Sequence, residues 1–256
     1  MYTKMLMSLL AIIISSGSLF AQSDRGSYVK IDYIYVESDQ YDKFIDYLNT
    51  VLHPYKTERL ENVDILEWNA YRVLYPGPQT KPYNFISKTV SASINAFDHH
   101  LNGTTDPLHE ESFASQYTIV KSELWKNQSS EYRLRNDEPS PYLKMDYMNV
   151  ALGRELEYEM LEIEIAKPLH ERRMEQNRLD GWKMYQLIFP GGVHYGYNYV
   201  TANYYSRLAD LEFGFTDELI RSENPGVNIR QFLENIWSTR DLVKSEIWML
   251  THHERL

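Results

Sequence analysis

The chain is expected to fold as an α+β protein built from two βαββαβ modules, and three observations carry that expectation. Residues 28–97 lay over residues 142–211 without a gap, with fourteen identities in seventy positions. They include Tyr28/Tyr142, Asp32/Asp146, Pro54/Pro168, Arg59/Arg173, Trp68/Trp182 and Tyr83-Asn84/Tyr197-Asn198. Each copy opens on an alternating, β-branched and aromatic run, the pattern of a strand with two different faces. After a nine-residue length change both copies close alike, Val120-Lys121-Ser122-Glu123-Leu124-Trp125 being answered by Val243-Lys244-Ser245-Glu246-Ile247-Trp248.

Taken in order, the first strands are Tyr28 to Val36 and Tyr142 to Val150. A helix follows in each copy. Phe44, Leu48, Val51 and Tyr55 fall at helical spacing in the first; Leu156, Met160, Ile163, His170 and Met174 do so in the second, widened by Tyr158, Leu161, Ile165 and Leu169. Pro54 and Pro168 interrupt both helices at the same place, where a missing N–H and a ring clash predict a kink or a fresh start. Trp68 to Tyr75 and Trp182 to Phe189 read as strands, followed by Pro-Gly turns and by return strands Tyr83 to Val90 and Tyr197 to Tyr204. Ile229 to Trp237 gives the clearest second helix, and the Val-Lys-Ser-Glu segments close each unit. This order is the ferredoxin-like arrangement. The modules span residues 25–126 and 142–250, joined by a polar linker at 127–141 that ends in Glu-Pro-Ser-Pro141.

In that topology the first and last strands are antiparallel neighbours, which brings Lys30 and Asp32 beside Lys121 and Glu123, and Lys144 and Asp146 beside Lys244 and Glu246. The alternation assigns Val29, Ile31 and Tyr33 to the helix side and the charged residues to the bare side of the sheet. Two such sheets can pack bare face to bare face. Paired lysines and carboxylates would then bridge the join, fixing register at little net stability.

The first 21 residues carry Lys4, an apolar run from Met5 to Ile14 and small residues up to Ala21. This is the pattern of a cleavable export signal, with the cut expected between Ala21 and Gln22, and it is too short to span a bilayer. The remaining chain is expected in the periplasm or outside the cell, with no transmembrane segment. It has no cysteine, so disulfides, a lipid-modified cysteine and thiolate chemistry are excluded. The full sequence has 26 basic and 36 acidic residues, a formal charge of −10, which repels phosphate backbones and argues against a nucleic-acid partner. Asn102-Gly103-Thr104 and Asn127-Gln128-Ser129 match the glycosylation triplet, a short pattern that carries little weight alone.

The tandem layout resembles the dimeric α/β-barrel superfamily. The segments Lys167-Pro-Leu-His170-Glu-Arg-Arg173, Gly181-Trp182, Phe189-Pro-Gly-Gly192 and Tyr197-Asn-Tyr-Val-Thr201 are similar to secreted NIPSNAP-like proteins of Bacteroidota. The resemblance implies the barrel fold and a pocket between sheet and helices; with the repeat, one chain is expected to form the whole barrel as a pseudo-two-fold monomer, with higher oligomers left open. Superfamily members include haem-degrading and quinone-forming monooxygenases, chlorite dismutases, dye-decolourising peroxidases and muconolactone isomerases. Haem is therefore a cofactor implied by resemblance only, and no haem-ligand motif matches here. The fold by itself implies no activity.

The copies differ where chemistry could sit. His170 answers Lys56, and His194 answers Thr80. His170 lies on an apolar stripe, where burial favours a neutral imidazole able to act as a base or ligand. The competing reading is a core histidine bonded to a nearby strand or to Arg173. Trp182, Tyr185, Tyr197, Asn198 and Tyr199, on two paired strands, offer aromatic walls with polar tips for a small aromatic ligand, and Arg173 lies close by in the expected fold. The alternative is that strands simply favour such residues. His99, His100 and His109 stand among Asp98, Asp106, Glu110 and Glu111, donors suited to zinc or copper but without the spacing of a known site, so no metal is expected. Two functions remain. One is an oxygenase or isomerase acting on an aromatic or quinone-like molecule, with its pocket in the second copy and His170 as base. The other is a non-catalytic module that binds a ligand or a protein.

Overall fold

The computed structural model describes residues 26–75, 82–98, 106–110, 116–132, 138–192, 194–226 and 228–256. The proposed export signal, the Pro76-Gly77 turn, His99, His100, Asn102 and Glu111 lie outside the described residues. The strands of the first module are β1 (Tyr28–Tyr35), β2 (Glu67–Tyr75), β3 (Phe85–Ser91) and β4 (Thr118–Tyr132). Those of the second are β5 (Tyr142–Val150), β6 (Gly181–Phe189), β7 (Tyr199–Tyr205) and β8 (Arg240–Arg255). All eight close into one barrel in the order β1-β3-β2-β8-β5-β7-β6-β4. Each half is therefore a ferredoxin-like sheet, and the halves are fused edge to edge into an α/β barrel.

Closure depends on the length of the last strand of each module. β4 pairs antiparallel with β1 through one stretch and with β6 through another, so that Trp125 faces Val29 on one side and Leu187 on the other. β8 does the same between β5 and β2. The strands thus run past the expected module ends, β4 reaching Tyr132 in the expected linker and β8 reaching Arg255. Asn127, inside β4, is buried, which removes the glycosylation reading there.

The helices cover the outer faces. In the first module α1 (Tyr41–Tyr47) passes through a π-helical turn at Leu48–Leu52 into α2 (His53–Glu61). In the second, α3 (Glu155–Met160), a π turn at Leu161–Ala166 and α4 (Lys167–Glu175) repeat the design. The expected break at the prolines is a π turn placed just before them: Pro54 and Pro168 fall in the first turn of α2 and α4, where a backbone N–H has no partner to lose. α5 (Asp217–Glu223) and α6 (Ile229–Thr239) complete the second layer, capped by the side chains of Thr216 and Asn228. Their apolar faces meet α4 through Leu169, Leu219, Ile220 and Phe232.

The interior corrects one expectation. Val29, Ile31 and Tyr33 point into the barrel, packed with Tyr71, Trp125, Leu143, Met145, Tyr147, Val200 and Trp248, not toward the helices. Lys30 and Asp32 take the helix side, 3.3 Å apart, with His109 3.5 Å from Asp32. The alternation was read correctly but assigned to the wrong faces, because in a closed barrel both faces of every strand are covered and the larger aromatic set fills the lumen. Lys121 and Glu123 do point inward, yet their register partners are Tyr33 and Ile31, so they do not share a face with Lys30 and Asp32.

Candidate functional site in the second module

The polar centre of the lumen is shared by both modules. Lys121 lies 2.6 Å from Glu123, and Lys244 lies 2.8 Å from Glu246. Tyr33 donates to Glu123 at 2.6 Å, Tyr197 and Tyr195 also donate to Glu123, Tyr83 donates to Glu246, and Trp248 donates its indole N–H to Glu246 at 3.0 Å. The Lys121 ammonium sits 4.0 Å above the Tyr33 ring and that of Lys244 4.3 Å above the Tyr147 ring. Burial pushes the Glu123 carboxyl up, but Lys121 and the tyrosine hydroxyls more than offset it and leave the group below its usual range. The lysine–carboxylate pairs each lie within one strand and do not bridge the join as expected; what crosses it are hydroxyls, Tyr83 donating to Glu246 and Tyr195 and Tyr197 to Glu123, and these tie the two modules together.

Two of the expected pocket residues belong to that lumen. Tyr185 and Tyr197 pack in the barrel interior, whereas Trp182 and Tyr199 pack on the opposite side, under the helices. Period-two alternation separates Trp182 from Tyr185, and those four aromatics therefore do not converge on one cavity. Asn198 serves the backbone, accepting from the Val150 N–H at 2.8 Å and donating to the Val150 carbonyl at 3.0 Å. Asn84 does the same for Val36 at 2.9 and 2.8 Å. Tyr199 donates to Glu159 at 2.7 Å.

What the structure brings together is His170, Arg173 and Trp182. The α4 turn places His170 and Arg173 three residues apart on its buried face, above the outer face of β6. The His170 ring stacks on Trp182, 5.2 Å between centroids and 16° from parallel, and meets Phe215 at 4.9 Å. An Arg173 N–H donates to Nδ1 of His170 at 3.3 Å, and a second donates to the Tyr205 hydroxyl at 3.2 Å. Arginine only donates, so Nδ1 accepts and the proton of the neutral ring sits on Nε2. Burial, reinforced by the charges of Arg173 and Lys144, holds His170 well below its ordinary value. At pH 7 it is a neutral imidazole. His194 is exposed.

The equivalent place in the first module is closed by charge. Lys56, in the position of His170, lies 2.6 Å from Asp106, and both are buried. Among the described residues no three histidines and carboxylates are grouped to hold a metal ion. His109, from the histidine-rich segment, is engaged with Lys30 at 2.7 Å. The sequence reading missed Phe215 and Tyr205. The signal for the latter was in the register, since Tyr205 answers Ser91.

A haem axial ligand needs a ring nitrogen facing a flat space the size of a porphyrin. Nδ1 of His170 is taken by Arg173 and its ring is packed against Trp182 and Phe215, so His170 does not fit such a ligand through Nδ1.

No family model and no curated protein matches the chain. Among solved structures it resembles a proposed monooxygenase from Lactobacillus acidophilus NCFM, at 9% identity over 90% of this chain and 97% of that one, with a TM-score of 0.57. It also resembles an anthrone oxidase-like protein at 9% identity over 91% and 95%, TM-score 0.51. A haem-binding protein from Thermus thermophilus is similar at 10% identity over 89% and 92%, TM-score 0.52. At these identities the likeness establishes the α/β-barrel fold.

Proposed function

We propose that the second module holds a small-molecule site and that the chain is an oxygenase or isomerase acting on an aromatic or quinone-like molecule. The observation that carries this reading is the asymmetry between halves: a neutral, buried imidazole beside an arginine stands where the first module has a closed Lys56–Asp106 pair. A neutral imidazole, an arginine and an indole among aromatic rings can orient a flat substrate and stabilise negative charge on its oxygen. With its proton on Nε2, His170 is set to donate to such an oxygen. It becomes a base when Arg173 turns from Nδ1 to the substrate. The names of the barrel neighbours, a proposed monooxygenase and an anthrone oxidase-like protein, are compatible with this chemistry. We further propose that the protein is exported after cleavage near Ala21, as the first residues suggest, and that it is one of the NIPSNAP-like secreted proteins its motifs resemble.

The test is a screen of anthrones, naphthols and quinones with oxygen uptake and absorbance as readouts, on the purified chain and on His170→Ala. Turnover that is lost in a folded His170→Ala variant supports the enzyme. Saturable binding without turnover transfers the site to a binding module, and absence of both defeats the small-molecule reading.

A further inference from the structure

Resting on the small-molecule site above, we propose that this site receives an oxyanion borne on an aromatic ring, held by the guanidinium of Arg173 and the indole N–H of Trp182. Equivalent positions in the two modules are satisfied differently. In the first module Arg59 has an acid, its Nε lying 3.7 Å from Asp64, and Trp68 gives its indole N–H to Ser87 at 3.0 Å. In the second module Nε of Arg173 and Nε1 of Trp182 are buried and have no partner among the described residues. Arg173 is 5% exposed and Trp182 fully buried, and both flank His170.

The lost acid can be located. The turn after each helix is the same, the N–H of Asp64 bonding the Arg59 carbonyl at 2.9 Å and that of Arg178 bonding the Arg173 carbonyl at 2.8 Å. Position 178 therefore occupies the place of Asp64 but carries the opposite charge, and Arg178 turns away to Asp210 at 3.5 Å and to the face of Phe213 at 3.7 Å. Among the described residues no carboxylate lies within ion-pair distance of Arg173. A buried guanidinium facing only a hydroxyl, an imidazole and ring faces is costly unless an anion completes it. Tyr205 and Phe215, each with its ring 5.8 to 5.9 Å from the guanidinium, suit an anion that is itself part of an aromatic molecule. The chain's net charge of −10 gives no general attraction for anions, so binding of one reports this local site.

The probes are two pairs, 2-naphthoate against neutral 2-naphthamide and the anion of 2-hydroxy-1,4-naphthoquinone against 1,4-naphthoquinone, measured by calorimetry on the full chain. At least one anion should bind about tenfold or more tighter than its neutral counterpart, the size expected of a charge-assisted hydrogen-bond pair. The favoured pair distinguishes carboxylate from phenolate-type oxygen. Arg173→Gln should erase the preference and Arg173→Lys restore part of it. Trp182→Phe, which keeps an aromatic ring but removes the N–H together with the indole's second ring, should weaken the anion severalfold more than it weakens the neutral probe of the same pair. Arg178→Asp rebuilds the first module's ion pair without touching Arg173, and should abolish the anion preference while raising the melting temperature. Neutral probes binding as well as anions, unchanged in Arg178→Asp, would overturn the anion site and leave the small-molecule reading standing. No binding of any probe would overturn both.

Discussion

The hydroxyls of Tyr33 and Tyr147 meet 2.9 Å apart in the barrel interior. The two residues lie 114 positions apart in sequence and are equivalent in the two modules, so the contact marks the pseudo-two-fold axis. Because Tyr33 gives its proton to Glu123, Tyr147 is the donor in the pair. Burial, then the nearby carboxylates, keeps both phenols well above their ordinary range, so neither ionises in the folded protein. Tyr33→Phe removes two buried hydrogen bonds and should cost about 1 to 3 kcal/mol in urea unfolding. Glu123→Ala leaves Lys121 and several hydroxyls uncompensated and should cost more, about 3 to 5 kcal/mol. If Glu123→Ala proved the milder change, the lumen network would not be what holds the two sheets in register.

Asn198 and Asn84 each tie the end of a first strand to the hairpin that follows. Asn198→Ala and Asn84→Ala should each lose about 1 to 3 kcal/mol, by similar amounts, and leave ligand affinity unchanged. Thermal melts beside the naphthoate titration check this. A loss of binding in Asn198→Ala without a loss of stability would return Asn198 to the site.

The fold was legible because the repeat made each strand visible twice and the closing Val-Lys-Ser-Glu segments marked the last strand of each module, although those strands run on to Tyr132 and Arg255. What the sequence could not show was which face of β1 turns inward. Val29, Ile31 and Tyr33 are equally suited to a helix layer or a lumen, and only closure through the long β4 and β8 decides between them. The site was legible in part for the same reason. His170, Arg173 and Trp182 were visible as departures from, or matches to, the first copy, but Tyr185, which strand alternation sends to the other face from Trp182, and Tyr197, which stands just before β7 and enters the lumen from there, were grouped with them. Phe215 arises from the segment where the copies differ in length, which no register could align.

Lys56 and His170 occupy equivalent places with opposite consequences for stability. Lys56→Met strands the buried Asp106, whose carboxyl burial pushes up and Lys56 pulls below its usual range, and should cost about 3 to 5 kcal/mol. His170→Ala removes a stacked ring but strands no carboxylate, so its cost should be smaller, about 1 to 3 kcal/mol. Melting temperatures of the two variants decide the order. A larger drop for His170→Ala would make the histidine a keystone of packing and weaken its place in the proposed chemistry.

Glu162, in the π turn between α3 and α4, provides a pH signature. Burial pushes its carboxyl up to about 6, with Arg240 offsetting this only in part. A folded-state value above that of the unfolded chain means that the folded protein binds the proton more tightly. The protonated form therefore favours folding, and stability falls as the pH rises from about 4.5 through 6. Above that window the deprotonated group costs about 1 to 2 kcal/mol, since each factor of ten in proton affinity is worth about 1.4 kcal/mol. Glu162→Gln removes the titration, so it should be more stable than the parent chain at about pH 7.5 by that amount and equal to it near about pH 4. Urea unfolding at both pH values measures the difference. An equal gain at the two would show that the residue's effect comes from packing, with no contribution from the proton.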